Sequence, residues 1–377
     1  MASIDLTHTP YGDLAIVAMR GCEEIAKQVD YYLMQWRGTP EEKSFVINAS
    51  CPRFGTGEAK GVFKHSARGL DAYIICDCFN YSVTYNMYGK EVPMSPDDHF
   101  QDLKRIIAAM GGKARRVNVI MPMLYEGRQH RRTTRESMDC AMALQELMAM
   151  GVKNFITFDA HDPRVNNAIP LDGFDNVQAA YQMIKALLRS TPDIKLDPDK
   201  TMIVSPDEGG MGRCIYYSSV LGLDLGMFYK RRDYSTIVDG RNPIVAHEFL
   251  GKDVMGMDLI LVDDMISSGE SMLDIAAKLK EKGARRIFIF STFGLFVNGL
   301  EKFDEYYANG LIDKIFTTNL IYNTPELLSR EWYCNVNMSK YIALLVDTIN
   351  CDNSISKLLD PADKIHSVVA KHEGKTE

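Results

Sequence analysis

Short apolar runs alternate with amphipathic stretches along most of this 377-residue chain. Residues 117–122, 154–158 and 259–262 are typical of buried parallel strands, and apolar residues at helical spacing follow the last of them. Strands that alternate with helices in this way indicate an α/β fold with mostly parallel sheets flanked by helices. Polar residues that directly follow such strands are candidates for a ligand site, because ligands bind at the carboxyl ends of parallel strands.

The clearest helix start in the first half of the chain is at Ser95. Pro96 stands at the first helical position, and Asp97 and Asp98 fall in the first turn, where carboxylates favour the helix dipole. Apolar residues then recur on one face up to Met110. We expect this helix to be scaffold.

The pattern repeats in two halves, which the charged, proline-containing residues 188–200 separate as a linker. Each half is expected to be one α/β domain, and the two are expected to face each other across a cleft. The predicted division is an N-terminal extension 1–40, a first domain 41–180, a second domain 181–345 and a C-terminal extension 346–377.

Composition narrows the class of protein. With 46% hydrophobic and 25% charged residues the chain can bury a full core, and its net charge of −7 argues against a general nucleic-acid binder. Eight cysteines lack paired metal-ligand spacing, and no apolar segment is long enough to span a bilayer. We therefore expect a cytoplasmic protein with reduced thiols and with no membrane or nucleic-acid partner.

An acidic pair and a small-residue turn follow the apolar run 259–262. Backbone N–H groups that converge at a helix N-terminus favour a phosphate, and the pair of carboxylates can accept hydrogen bonds from vicinal ribose hydroxyls. The sequence thus predicts a sugar-phosphate site. Taken alone, the same features also fit a loop cap and an ordinary helix start. The candidate residues are Asp263, Asp264, Ser267, Ser268, Gly269 and Ser271.

Four arginines and a histidine lie within eight residues after the strand 117–122. They are Arg128, His130, Arg131, Arg132 and Arg135. Such a concentration in an acidic protein favours a polyanion such as a triphosphate. The alternative is a cluster of salt bridges at an interface.

The stretch Val-Asp-Asp-Met-Ile-Ser-Ser-Gly-Glu-Ser (262–271) resembles the phosphate loop of the type I phosphoribosyltransferase fold, and more narrowly that of ribose-phosphate pyrophosphokinases. The resemblance spans about 300 residues. It implies two tandem phosphoribosyltransferase-like domains. It also implies transfer of pyrophosphate from ATP to ribose 5-phosphate with Mg²⁺, in a homodimer or hexamer.

The resemblance assigns the ATP side to the first half. Phe54 would stack on adenine and Glu58 would accept from its amino group, both reaching a neighbouring subunit's ATP. Taken alone, that segment equally fits a hairpin turn with a core phenylalanine. Arg128 and Gln129 match ATP-binding residues, and Arg131 belongs to the same triphosphate cluster.

The remaining functional residues follow the ends of later strands. His161 would be a ligand of the magnesium site, assisted by Asp159, although a histidine after a strand is more often structural. Asp207 matches a residue assigned to a second metal. Lys230 and Arg232 match a catalytic pair that would neutralise charge on the transferring phosphates.

Several positions depart from the family pattern. Ser267 stands where an aspartate is usual, Glu270 replaces a glycine, and Thr56, His130 and Phe293 also differ. Residues 80–95 look like an insertion. These departures leave two alternatives open. The acceptor could be another ribosyl 5-phosphate compound, or the protein could be a non-catalytic regulatory homologue. Transfer of a phosphoribosyl group to a base is disfavoured by the ATP-like segments.

Overall fold

A computed structural model describes residues 9–38, 43–232 and 244–374; the side chains of residues 230–232 and 244–247 lie outside the described part. The chain divides into two compact α/β units, and the predicted α/β class is confirmed. The first unit comprises Met1–Gln178, Asn319–Tyr322 and Asn337–Asp360, and the second comprises Ala179–Thr318, Asn323–Val336 and Pro361–Glu377.

The first unit is built on five parallel strands in the order β1-β4-β7-β8-β9, with two short antiparallel hairpins, β2-β3 and β5-β6. Its strands are β1 (Asp13–Ala18), β2 (Ala49–Ser50), β3 (Val62–Phe63), β4 (Leu70–Ile75), β5 (Thr84–Met87), β6 (Lys90–Pro93), β7 (Arg116–Ile120), β8 (Asn154–Phe158) and β9 (Gly173–Val177).

The second unit is built on seven strands in the order β12-β11-β10-β13-β14-β15-β16, which are parallel except for the edge strand β12. The strands are β10 (Thr201–Ser205), β11 (Asp224–Arg232), β12 (Ile244–Leu250), β13 (Asp258–Ile266), β14 (Arg286–Gly294), β15 (Lys314–Thr318) and β16 (Tyr333–Val336).

The α-helices are α1 (Glu23–Arg37), α2 (Pro96–Ala109), α3 (Asp139–Ala149), α4 (Ala180–Ser190), α5 (Met211–Leu221), α6 (Glu270–Glu281), α7 (Glu301–Ala308), α8 (Pro325–Leu328), α9 (Ser339–Asn350), α10 (Ser356–Leu359) and α11 (Ala362–His372). A 3-10 helix spans Pro163–Ala168. Among the described residues, none of the helices has the length and apolar content to cross a bilayer.

The start of α2 is as predicted. The Ser95 side chain accepts from the Asp98 backbone N–H at 3.1 Å, and the Asp98 carboxylate accepts from the Ser95 backbone N–H at 2.9 Å. This reciprocal pair satisfies two donors that the first helical turn leaves open.

The N-terminal segment belongs to the first sheet and is not an extension. β1 pairs in parallel with β4, and Ile16 also exchanges two 2.8 Å backbone hydrogen bonds with Phe45 and Ile47 on its other side. Residues 44–48 contribute an isolated parallel bridge there, between Ile16 and Val46. The side chains of Ile16 and Val17 are fully buried, which explains why this apolar run is part of the core.

The expected C-terminal extension also divides between the two units. Asp347 on α9 forms a 2.7 Å ion pair with Arg37 of α1 in the first unit. In the second unit, His366 and His372 on α11 lie at hydrogen-bond distance from the carbonyls of Val220 and Ile194, at 3.1 and 2.9 Å. The last helices therefore complete cores that begin far earlier in the chain.

A buried carboxylate network anchors the first sheet to α9. Asp71 on β4 is fully buried and accepts from Arg116 at 2.6 Å, from Asn118 at 2.8 Å and from Asn350 at 2.9 Å. Burial alone would raise the pKa of Asp71, but the hydrogen bonds from these three residues outweigh it and lower the pKa. The carboxylate is therefore held ionised inside the unit.

Candidate active site

The acidic pair lies within β13, not after it. β13 runs to Ile266 because it pairs with β14 as far as Gly294, whereas its pairing with β10 stops at Leu261. Asp263 and Asp264 therefore lie beyond the last β10 pair, at the carboxyl end of the sheet. This is the edge at which α/β folds bind ligands.

The two carboxylates perturb each other. Burial, followed by the charge of Asp264, raises the pKa of Asp263 well above its ordinary value. Asp263 Oδ1 also accepts from the Asp264 backbone N–H at 2.9 Å. An acceptor pair in this environment is stabilised by any donor or cation that approaches it.

Arg213 supplies such a cation, and the sequence analysis gave it no role. Its Nη1 lies 3.8 Å from Asp263 Oδ1 and 4.0 Å from Asp264 Oδ1, and its side chain is only 12% exposed. The guanidinium lowers the pKa of Asp263 and partly offsets the effects of burial and Asp264. The available signal was its position in the first turn of α5, directly after the turn that follows β10.

The turn after β13 brings the chain to the N-terminus of α6. The carbonyls of Ile266 and Ser267 accept from Leu295 and Val297 at 2.8 and 3.0 Å, which ties the turn to the residues after β14. The N-cap residue of α6 is Gly269, which has no side chain to cap the helix, and the Ser268 hydroxyl accepts from the Glu270 N–H only at the long distance of 3.5 Å. The first N–H groups of α6 are therefore suited to an anion.

Gly269 is needed in this turn for two reasons. Its φ is +80°, a left-handed conformation that residues with a Cβ adopt only at a cost. A Cβ there would also lie 2.1 Å from Cζ of the buried Phe303 on α7. Glu270, the departure that places a carboxylate next to the expected phosphate, is exposed and falls in the first turn of α6. A carboxylate is electrostatically favourable at that position of a helix.

The turn after β10 holds Asp207 in place. Asp207 Oδ1 accepts from the Gly210 backbone N–H at 3.1 Å, and its carbonyl accepts from the Ser205 hydroxyl at 2.7 Å. These bonds fix the start of α5 and therefore the position of Arg213 as well. Asp207 thus has a structural role in the turn, whether or not it also binds a metal.

Lys230 and Arg232 fall near the end of β11, whose backbone pairs Lys230 with His247 and Arg232 with Ile244 across an irregularity in the ladder. Their side chains, and all of residues 233–243, lie outside the described residues. Phe293, which stands where the family pattern has a histidine, is 2% exposed on β14 and is a core residue.

The arginine segment of the first unit is exposed. Arg128, Arg131, Arg132 and Arg135 are all exposed, and none of them pairs with a carboxylate within the part of the chain that the structure describes. Gln129 is oriented inside the segment, because its side-chain amide donates to the Ser137 carbonyl at 2.9 Å. Unpaired guanidinium groups in one short segment are suited to a bound polyphosphate.

His130 and His161 lie close together in the segments that follow β7 and β8. Their ring centroids are 5.4 Å apart, and His130 Nε2 is 3.4 Å from Asp162 Oδ2. Hydrogen bonds from Arg164 lower the pKa of Asp162 to about 2. Asp159 has a φ of +41°, a conformation more accessible to aspartate than to most residues, and His161 beyond it is exposed.

The 53–59 loop is closed by backbone hydrogen bonds. Phe54 N–H donates to the Glu58 carbonyl at 2.7 Å, and Arg53 and Ala59 form an antiparallel bridge. Phe54 is 55% exposed, so the interpretation as a core phenylalanine is wrong. Thr56, one of the departures, donates from its hydroxyl to Glu58 Oε2 at 2.9 Å and so orients that carboxylate.

Metal-ligating side chains are not clustered within the described residues, where no group of three or more histidine, cysteine or acidic residues could hold an ion. Mg²⁺ commonly takes one or two protein carboxylates and completes its shell with water and substrate phosphates. A single oxygen donor such as Asp207 is compatible with Mg²⁺ bound in this way. The described residues do not fit a metal held by protein ligands alone.

Two tandem α/β units, one with an acidic pair followed by an open helix N-terminus, define the phosphoribosyltransferase-like class. Two family profiles match this chain and together cover more than two thirds of it. One describes the N-terminal domain of ribose phosphate pyrophosphokinase and matches residues 14–151. The other describes a phosphoribosyl synthetase-associated domain and matches residues 235–360. The chain belongs to the ribose-phosphate pyrophosphokinase family.

Individual relatives agree with that assignment. The ribose-phosphate pyrophosphokinase of Pasteurella multocida is 25% identical over 350 residues, covering 92% of this chain and 99% of that protein. The same-named protein of Shewanella oneidensis is 27% identical over 310 residues, covering 81% and 89%. The crystal structure of phosphoribosylpyrophosphate synthetase from Mycobacterium smegmatis matches in fold with a TM-score of 0.72 at 20% identity, covering 89% of this chain and 98% of that one. The first profile begins at residue 14, so residues 14–40, which the predicted division placed in an extension, belong to the matched N-terminal domain.

Proposed function

We propose that this enzyme transfers the terminal diphosphoryl group of ATP to the anomeric hydroxyl of ribose 5-phosphate, giving phosphoribosyl pyrophosphate and AMP. The observation that carries the proposal is the strand, turn and helix over residues 258–281. It holds two carboxylates and an open helix N-terminus within one short segment. A sugar that carries both vicinal hydroxyls and a phosphate matches that combination.

Ribose 5-phosphate would be held at both ends. The 5-phosphate would accept from the first N–H groups of α6 and from the hydroxyls of Ser267, Ser268 and Ser271, with Gly269 allowing close approach. Asp263 and Asp264 would accept from the ribose hydroxyls. Arg213 would favour the ionised form of Asp263, because a protonated carboxyl group loses acceptor capacity.

ATP would be held by the first unit. Arg128 and Arg131 would bind the phosphates, and Gln129 would contact the nucleotide through its remaining side-chain oxygen. Phe54 would stack on adenine, and Glu58, oriented by Thr56, would accept from the exocyclic amine. The exposure of Phe54 supports its use on a neighbouring chain, which implies a homo-oligomer such as a dimer or hexamer.

In the transfer step the anomeric oxygen attacks the β-phosphorus of ATP. The bond from that phosphorus to the bridging oxygen of the α-phosphate breaks, AMP leaves with the bond's electrons, and the hydroxyl proton passes to solvent. Lys230 and Arg232 would neutralise the charge that develops on the phosphate oxygens. No nucleophile from the protein is required, so catalysis rests on positioning and charge.

Mg²⁺, when bound, neutralises the phosphates and orients them for in-line transfer. Asp207 is the carboxylate we assign to it in the second unit, and His161 is the residue we assign in the first. Eight free cysteines in the described residues agree with a reducing, cytoplasmic location.

One specific observation favours a second acceptor class. Ser267 directly follows β13 and Glu270 is the first residue of α6, so both change the turn that would hold the acceptor's phosphate. A ribosyl 5-phosphate compound with an additional substituent is therefore the alternative acceptor.

Substitution of Lys230 tests directly whether the protein is an enzyme or a non-catalytic regulatory homologue. Lys230→Ala should lower kcat at least about a hundredfold, since one charge aimed at a developing anion contributes roughly 3 kcal/mol. ATP binding measured by calorimetry should change less than threefold. Lys252→Ala, which removes an exposed lysine paired with Asp224 in the same unit, is the matched control and should retain activity. If the wild-type protein binds ATP and turns over no acceptor, the regulatory alternative replaces the enzyme.

A further inference from the structure

The hairpin formed by β5 and β6, residues 84–93, stands outside the main sheet of the first unit and corresponds to the insertion noted in the sequence. Its two-residue turn is well defined. Tyr88 and Gly89 have φ values of +50° and +76°, the combination that a tight antiparallel turn requires, and the Asn86 side chain accepts from the Gly89 N–H at 3.1 Å. The hairpin is therefore a short element with little conformational freedom at its tip.

The base of the hairpin is fixed to the body of the unit. Met94 N–H donates to the Val83 carbonyl at 2.8 Å, and both side chains are buried. Ser95, the next residue, is the cap of α2. The orientation of the hairpin is thus tied to the helix that packs below it.

One face of the hairpin contacts the 53–59 loop at three points. Tyr88 N–H donates to the Gly55 carbonyl at 2.8 Å. The Arg53 guanidinium lies 4.6 Å from the centre of the Tyr85 ring. A Cβ at Gly57 would come within 2.9 Å of Met87 Sδ, so the Met87 side chain packs directly against the Gly57 backbone.

Arg53 is the residue through which the hairpin acts. Its Nη2 pairs with Asp102 of α2 at 2.9 Å, and the two side chains are 7% and 4% exposed. Its Nε is buried and has no hydrogen-bond partner among the described residues. The guanidinium is therefore held between a carboxylate on one element and an aromatic face on another. A guanidinium over an aromatic face is attracted by the negative face of the ring.

We propose that the 84–93 hairpin positions the 53–59 loop for recognition of the nucleotide base, and that Tyr85 is the positioning residue because it fixes Arg53 next to Phe54. This inference rests on the proposed function, in which Phe54 and Glu58 contact adenine. A loop already held in its binding conformation avoids the entropic cost of ordering when ATP binds. The hairpin should therefore act on the affinity for ATP and on the choice of base, and not on the transfer step.

The test compares Tyr85→Leu with Tyr85→Phe in the full-length protein. Leucine removes the aromatic face, and we expect KM for ATP to rise about tenfold, with KM for ribose 5-phosphate and kcat within twofold of wild type. The ratio of kcat/KM for ATP to that for GTP should fall. Phenylalanine keeps the face and loses only contacts of 3.4 and 3.5 Å to Asp98, so its KM for ATP should match wild type.

Tyr88→Gly is the second control. It removes an exposed ring but keeps the N–H that donates to Gly55, so KM for ATP should stay unchanged. A rise for Tyr88→Gly with none for Tyr85→Leu would place the effect in the Tyr88 side chain and overturn the inference. The inference would also be overturned if Tyr85→Leu lowered both kcat and thermal stability but left KM for ATP unchanged. That result would indicate a structural role alone.

The outcome separates this inference from the proposed function. If wild-type protein forms AMP with ribose 5-phosphate and Tyr85→Leu leaves KM for ATP unchanged, the inference fails and the function stands. If no acceptor is turned over, the dissociation constant for ATP from calorimetry replaces KM. A value for Tyr85→Leu equal to that for Tyr85→Phe then overturns the inference.

Discussion

Replacement of Gly269 by alanine perturbs the phosphate turn directly. The residue has a φ of +80°, and an added Cβ would lie 2.1 Å from Phe303 Cζ. The left-handed conformation costs about 1 kcal/mol once a Cβ is present, and overpacking against a buried ring adds roughly 1–3 kcal/mol. The turn can relieve the contact only by moving, which displaces the first N–H groups of α6.

The expected result is a selective loss of affinity for the phosphorylated sugar. One charge-assisted hydrogen bond contributes roughly 1.5–3 kcal/mol, so losing one should raise KM for ribose 5-phosphate at least about tenfold. The free energy of unfolding in urea should fall by no more than about 2–4 kcal/mol, because the displacement of the turn releases part of the strain. KM for ATP should be unchanged.

Gly283→Ala is the matched control. Gly283 follows the other end of α6 with a similar φ of +86°, but its nearest contact for a Cβ is Met255 Cγ at 3.3 Å. It should lose about 1 kcal/mol of stability and keep its KM values. Phe303→Leu in the Gly269→Ala background should recover part of the affinity. An unchanged KM for ribose 5-phosphate in folded Gly269→Ala would refute the assignment of this turn to the phosphate.

Arg213→Met should move the acidic limb of the pH profile of kcat/KM for ribose 5-phosphate to higher pH, because the pKa of Asp263 rises when the cation is removed. AMP formation between pH 5 and 9 measures this, and an unshifted limb would contradict the role of Arg213. Asp71→Asn should cost about 3 kcal/mol in urea unfolding because it removes the buried charge partner of Arg116, whereas Asp352→Asn, at the exposed partner of the same arginine, should cost under about 0.5 kcal/mol. The pKa of Asp71 is lower in the folded than in the unfolded protein, so its ionised form stabilises the fold. This contribution should be complete above a pH of about 4 and should decline as the pH falls further. A stability loss that begins near neutral pH would point to another group.

Local patterns were enough to predict the elements of the ribose-phosphate site. Four apolar residues, an acidic pair and a small-residue turn predicted a strand that leads into α6, and that order is observed. The strand end was not predictable, because β13 continues to Ile266 only where β14 remains alongside it. The length of a strand depends on its partner, which a local pattern does not contain.

Contacts between distant segments account for the other differences. The apolar run of β1 was visible, but its partner β4 lies more than fifty residues away, so the run was assigned to an extension. The same limit applies to Arg213, whose distance from Asp263 depends on how α5 packs beside β13. Segments 319–322 and 337–360 return to the first unit, and nothing in their composition marks that return.

The departures from the family pattern could be interpreted only after their contacts were known. Thr56 replaces an acidic or amide residue, and its hydroxyl donates to Glu58. Phe293 replaces a histidine and packs in the core of the second unit. One departure therefore lies in the candidate binding loop and the other in the core.

Product analysis by mass spectrometry, with purified protein, ATP, Mg²⁺ and ribose 5-phosphate labelled with ¹⁸O at the anomeric hydroxyl, tests the central claim most directly. The account predicts AMP and phosphoribosyl pyrophosphate in equal amounts, with the label retained between the sugar and the new diphosphoryl group. Formation of ADP, or no consumption of ribose 5-phosphate by protein that binds ATP, would contradict diphosphoryl transfer to this acceptor.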